Sequence, residues 1–140
     1  MEIQEQANLS FKGVDIVDVK FQAIRPRGEN MSINVECFPV AIIPKGKKDR
    51  FSIAMDVQVS CEGYFMLNLR AIGGFALNTD INDNIKKTFI NVNAVAIMFP
   101  YIRSFIATFT ANIGNATGTL NIPTQFFEGE LKIIDKNKED

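Results

Sequence analysis

The sequence predicts an α+β protein in which a four-stranded antiparallel sheet packs with one long, Pro-kinked helix. Two observations carry this. As far as Leu77 the apolar residues mostly recur with a period of two, the signature of half-buried strands. From about Asn93 they recur at helical spacing, through Val95, Met98, Ile102, Phe105 or Ile106, Phe109 and Ile113.

The first strand runs between Val14 and Ala23, where Val17, Val19, Phe21 and Ala23 alternate with Asp18, Lys20 and Gln22. Ile24-Arg25-Pro26-Arg27-Gly28 interrupts it, because Pro and Gly punctuate strands. Met31, Ile33 and Val35 alternate with Ser32, Asn34 and Glu36 to begin a second strand. Pro39 removes a ladder donor there, which predicts an edge position or a bulge near Phe38-Pro39. Pro44 to Asp49 is a solvated basic loop. In the third strand Phe51, Ile53, Met55, Val57, Val59 and Cys61 share one face. Glu62-Gly63 turns the chain tightly into a fourth, with Phe65, Leu67, Leu69 and Ala71 on one face. So short a turn requires an antiparallel pair. Gly73-Gly74 predicts a bulge or bend before Phe75 and Leu77.

Thr79 or Asp80 can cap a short helix near Ile81 to Phe89. Within the long helical segment Pro100 has no N–H to give the carbonyl four residues back, which predicts a bend near Phe99-Pro100. Gly114 is a natural stop. The helix carries more apolar residues than one buried stripe needs: Ala94, Ile97, Phe99, Tyr101 and Ala107 occupy other faces. A helix apolar nearly all round must be covered on more than one side, by a second layer or, as preferred here, by a partner subunit. A polar loop then leads to Leu120-Asn121-Ile122-Pro123-Thr124-Gln125-Phe126-Phe127. The tail from Gly129 fits a last strand or a helical turn equally well. No repeat or linker divides the chain, so 1–140 is read as one domain with loosely ordered ends at 1–10 and 129–140.

Composition narrows the function. A chain of 140 residues supports one domain that buries roughly 70% of its unfolded surface. It has twelve Phe but no Trp and no His, so there is no Ser-His-Asp or Cys-His nucleophile and no His-ligated zinc. Fifteen basic residues against sixteen acidic ones argue against a nucleic-acid partner. No run of 18 or more apolar residues predicts a membrane span, and the acidic start Met1-Glu2-Ile3-Gln4-Glu5 predicts no secretory signal, so a cytoplasmic location is expected. Cys37 and Cys61 then read as free buried thiols. The carboxylate pairs Asp15/Asp18 and Asp80/Asp83 lack an acid–base or metal setting. Asp80-Ile81-Asn82-Asp83-Asn84 lacks the Gly and distal Glu of a calcium loop and is better explained as a helix cap. Gly73-Gly74 lacks the context of a phosphate loop. No enzyme, metal or cofactor is expected.

One pattern points to a family. Met98-Phe99-Pro100-Tyr101-Ile102-Arg103, a polar loop, then Leu120-Asn121-Ile122-Pro123-x-x-Phe126 resembles the SecB protein-export chaperones. There a Phe-Pro-Tyr-x-Arg motif opens the long helix and a Leu-Asn-x-x-Pro-x-x-Phe run follows the loop. The second run is one residue shorter here. The four strands, the Gly-Gly before a Phe and Phe21-Gln22-Ala23 agree with the family layout, over roughly residues 11 to 128. The resemblance implies a four-stranded sheet with a long helix, and a homotetramer built as a dimer of dimers through the first strand and that helix. It implies an ATP-independent holdase that wraps unfolded preproteins around apolar grooves and passes them to the SecA motor. Relatives beside toxin-antitoxin pairs protect an aggregation-prone antitoxin. This chain departs from the export chaperones in its near-neutral charge and its short tail, where Lys132, Lys136 and Lys138 interrupt the acids. The family's second helix is therefore shortened or absent, and SecA docking is in doubt.

A holdase needs apolar surface held in solution by a polar rim, and aromatic side chains supply contact area without sequence demands. Client contacts are assigned to Leu120, Ile122, Phe126 and Phe127, which could equally close the core beneath the helix. The oligomer interface is assigned to Val17, Val19, Phe21, Ile102, Phe105, Ile106 and Phe109, with the helix residues divided between sheet and interface. Phe99, Pro100, Tyr101 and Arg103 form the family motif, Arg103 pairing with a carboxylate or a loop carbonyl. The alternatives are a chaperone for one antitoxin, or a non-chaperone domain that binds an apolar ligand or one fixed partner.

Overall fold

The computed structural model describes residues 9–26, 28, 30–47, 49–77, 82–123 and 131–137. Its strands are β1 (Leu9–Ala23), β2 (Asn34–Ile43), β3 (Arg50–Cys61), β4 (Phe65–Leu77) and β5 (Lys132–Asp135). They form one sheet in the order β1-β4-β3-β2-β5. The first four pair with one another antiparallel, as the short β3–β4 turn predicts for that pair. Gly63 makes the β3–β4 turn possible at φ 84°, a conformation that costs a side-chain-bearing residue energy. The tail adds a fifth strand, because β5 runs parallel to β2 from the Val40–Lys132 pair to the Ile43–Asp135 pair. It thereby covers the edge of β2 only beyond Pro39, the residue that has no donor to give.

Alternation sets the two faces of the sheet. Phe51, Ile53, Met55, Val57 and Val59 of β3 and Phe65, Leu67, Leu69, Ala71 and Phe75 of β4 are all buried on one face. Their in-between neighbours point to the opposite side. The bulge predicted at Gly73-Gly74 lies instead on the facing strand. Register shifts leave Lys12 and Val17 of β1 as extra residues, opposite Gly74/Phe75 and Arg70/Ala71. Gly73 matters for close packing: a Cβ there would stand 2.9 Å from Met98 Sδ, so its bare backbone lets the helix approach the sheet.

The helical layer is continuous over Asp83–Ala111. Asn82 caps it, its side-chain oxygen accepting from Ile85 N at 2.9 Å. Thr79 and Asp80 lie outside the described residues. Helix α1 (Asp83–Thr88) passes through a π-helical segment, Phe89–Ala94, into α2 (Val95–Ala111). The helix continues through Pro100, and the departure from α geometry falls upstream in that π segment. Ile90, Ala94, Met98, Ile102, Ile106 and Thr110 are buried at intervals of four. Four residues overshoot one α turn, whereas π winding takes more residues per turn and brings Ile90 and Ala94 into line with Met98. By length and composition alone this helix could cross a membrane, which counting consecutive apolar residues does not register. Here that row of side chains forms the core against the sheet. Among the described residues no helix follows α2.

Candidate functional site

Two chains of aromatic rings join the helix to β1. Phe51 stacks on Phe75 at 5.1 Å, Phe75 meets Phe11 at 5.4 Å, and Phe11 meets Tyr101 at 5.2 Å. Farther along, Phe65 meets Phe21 at 6.5 Å, Phe21 meets Phe109 edge-on at 5.7 Å, and Phe105 stacks on Phe109 at 5.8 Å. Each chain begins in the core and ends on partly exposed surface, and centroid spacings of this size are favourable for aromatic pairs. Between the two lies the outer part of β1, where Val17 and Val19 are 52% and 38% exposed. As the last strand of the sheet, β1 also has one unpaired edge among the described residues. This combination of open edge, exposed valines and half-buried phenylalanines is an apolar surface that the described residues leave uncovered. Val92 and Tyr101, 61% and 54% exposed, extend apolar surface onto the helix.

The predicted site residues divide on burial. Val17, Val19, Phe21, Phe105 and Phe109 keep accessible surface beside the β1 edge. Ile102 and Ile106 are fully buried in their own chain, which corrects their assignment to an oligomer contact: they sit on the row that meets the sheet. Leu120 and Ile122 are likewise buried and close the core rather than line an open groove. Phe126 and Phe127 lie outside the described residues. In the Phe99-Pro100-Tyr101-x-Arg103 motif, Phe99 is buried and Tyr101 joins the first aromatic chain. Arg103 Nε donates to Ile122 O at 2.7 Å, the loop carbonyl that was one of its two expected partners. This bond and one from Leu120 N to Thr110 Oγ1, at 2.9 Å, fasten the chain after the helix across α2.

Residue type alone did not reveal the part played by Asn91. Its Oδ1 accepts from Leu131 N at 2.7 Å and so ties the start of β5 to the π segment. Nothing in the local sequence distinguishes that Asn from an ordinary polar helix residue. Both cysteines are free; Cys61 is buried as expected, whereas Cys37 is only part-buried. Burial pushes the Cys37 thiol up to about 12, so it stays protonated and unreactive at neutral pH.

The architecture is a SecB-like fold, α+β with a mixed five-stranded sheet against one long helix. Among solved structures the chain is similar to the SecB-like chaperone Rv1957 of Mycobacterium tuberculosis, in complex with a ChAD peptide from the Rv1956 HigA1 antitoxin. The TM-score is 0.68 and the likeness covers 88% of this chain and 91% of that one, at 10% sequence identity. Among curated proteins it is 24% identical over 119 residues to an uncharacterized protein of Methanocaldococcus jannaschii, covering 80% of this chain and 76% of that protein. No family model matches.

Proposed function

We propose that the protein is an ATP-independent holdase chaperone that keeps unfolded or nascent polypeptides from aggregating, and that it works in the cytoplasm. The observation that carries this reading is apolar surface and strand edge that a β1 contact between subunits leaves free, Val92 and Tyr101 on the helix and the β2 edge before Pro39, on a fold shared with a chaperone in complex with an antitoxin peptide. Such a surface can hold an extended client by side-chain contact and by main-chain pairing to a sheet edge. Neither kind of contact needs a nucleophile or ATP. The likeness to an antitoxin-bound chaperone favours an antitoxin client over a preprotein on its way to SecA. Phe126 and Phe127 are proposed as further client contacts. The subunits are proposed to assemble as a dimer of dimers, with Val17, Val19 and Phe21 at the strand contact and Phe105 and Phe109 beside it.

Light scattering of a slowly aggregating unfolded client tests the reading. The protein at about one tetramer per client, without ATP, is expected to suppress most of the scattering. Unchanged aggregation across a several-fold excess would reject the holdase.

A further inference from the structure

The face of the sheet turned away from the helix carries a second feature, separate from the β1 edge. A half-open trough of about 480 Å³ lies there, floored by Ile42, Ser52, Gly74 and Ala76, with Lys12 and Arg50 at its rim. Its shape follows from the register. Ile42 pairs with Ser52, Ser52 with Gly74, and Arg50 with Ala76, so small residues fill the middle of the row. Lys12 comes to this rim because it is the extra residue of the β1 bulge, its Cβ 3.5 Å from where a Cβ on Gly74 would stand. The two cations flank β4 from the strands on either side, about 10 Å apart at the backbone, and both are long enough to close on one carboxylate. Lys12 makes no ion pair among the described residues, and Arg50 has only a 3.7 Å contact with the half-exposed Asp49.

The trough does not end as an isolated cavity. The next row on the same face is Val40, Ala54 and Ile72, which continues the apolar floor and ends at Asp15 on β1. The row beyond is closed by the Asp56–Arg70 ion pair at 3.1 Å, with Asp18 beside it. The surface is thus apolar along its length, positive at the Lys12–Arg50 end and flanked by acids at the other. An apolar floor longer than the cavity itself suits an extended chain better than a small molecule, and the cations select what that chain carries.

We propose that this trough binds extended, acidic-apolar polypeptide segments, seating an aliphatic side chain on Gly74 and Ala76 and a neighbouring Asp or Glu carboxylate between Lys12 and Arg50. Arg pairs with carboxylates through strong, directional hydrogen bonds. The inference rests on the chaperone reading and gives it a client preference.

Fluorescence anisotropy of a short labelled peptide alternating Leu and Glu, against its Gln and Lys counterparts, tests it. The Glu peptide is expected to bind about tenfold more tightly than the Gln peptide, the size of one charge-assisted contact. The Lys peptide should bind more weakly still. Lys12→Gln with Arg50→Gln should abolish the preference. Gly74→Val should weaken all three peptides by filling the trough; Gly74 has ordinary φ, and a Cβ there meets only Lys12 Cβ, at an ordinary contact distance of 3.5 Å. Equal affinity for Glu and Gln peptides, a preference that survives the double variant, or a Gly74→Val protein that binds as before would each overturn the proposal. So would decanoate that displaces the Glu peptide and binds more tightly, since the site would then serve a small carboxylate. The light-scattering assay separates the two readings. Suppression without a charge preference removes only the trough, whereas loss of suppression removes the holdase as well.

Discussion

Thr110 is a polar residue at the centre of an apolar row, and its hydroxyl accounts for its presence. Fully buried, it donates to Ile106 O at 2.7 Å and accepts from Leu120 N at 2.9 Å. The first bond satisfies the hydroxyl within the helix, and the second satisfies a main-chain donor of the segment that follows it. Thr110→Val keeps the shape and deletes both, leaving the Leu120 N–H buried without a partner. That should cost about 1–3 kcal/mol, read as a lower denaturation midpoint at constant m-value. Thr110→Ser, which keeps the hydroxyl and loses one methyl, should cost about 1 kcal/mol. A valine variant no worse than the serine variant would show that the hydroxyl does not hold Leu120. The Gly73–Met98 contact belongs to the same scale: the glycine is there for the methionine, and a sequence pattern shows only the glycine.

Among the elements, β5 is the shortest strand. Four residues pair with β2, and the strand is fastened at its end by Asn137, whose Oδ1 accepts from Gly46 N at 2.7 Å and whose Nδ2 donates to Pro44 O at 3.0 Å. Asn137→Ala should release this end, raising hydrogen exchange at residues 132–135 about tenfold while the β3–β4 amides stay protected. Equal exchange in variant and parent would mean that Asn137 does not hold this end of β5. The same strand marks what the sequence could and could not disclose. Four strands and a helix were legible because each repeats a period over many residues, as in Phe51 to Cys61. A four-residue strand with the pattern Lys-Ile-Ile-Asp has too few positions to separate period two from a helical turn. The bulges in β1 were equally hidden, since Val17 reads as one more member of an alternation that it interrupts. The candidate site was half legible. Composition and the Phe-Pro-Tyr-x-Arg run pointed to an apolar binding surface, and Arg103 found one of its two expected partners. Periodicity marks Leu120, Ile122, Ile102 and Ile106 as apolar, but only the packing of α2 on the sheet shows them to be core. The outer trough left no mark in the sequence, because it depends on which residues of three strands share a row.

For the whole molecule, the open question of greatest consequence is what covers β1. A strand of fifteen residues with one edge unpaired among the described residues is about 50 Å of main-chain donors and acceptors, a surface that proteins ordinarily protect. Pairing it with a second copy satisfies the edge, and the neighbouring Val17, Val19 and Phe21, with Phe105 and Phe109 beside them, supply the apolar area a stable contact requires. Val17 and Val19 are exposed in the single chain, so replacing both with Lys should change the monomer's own stability by no more than about 0.5 kcal/mol each. In an interface the same change buries two like charges in each subunit and repels across the two-fold axis. Sedimentation velocity should therefore show the parent protein as an oligomer and the Val17→Lys/Val19→Lys variant at a smaller mass, with an unchanged circular dichroism spectrum. The melting temperature of the parent should also rise with concentration, since association stabilises the folded form by mass action, and that dependence should weaken in the variant. If the variant sediments like the parent, the β1 edge is not the contact, and the exposed side of the helix around Val92 and Tyr101 becomes the surface to mutate next.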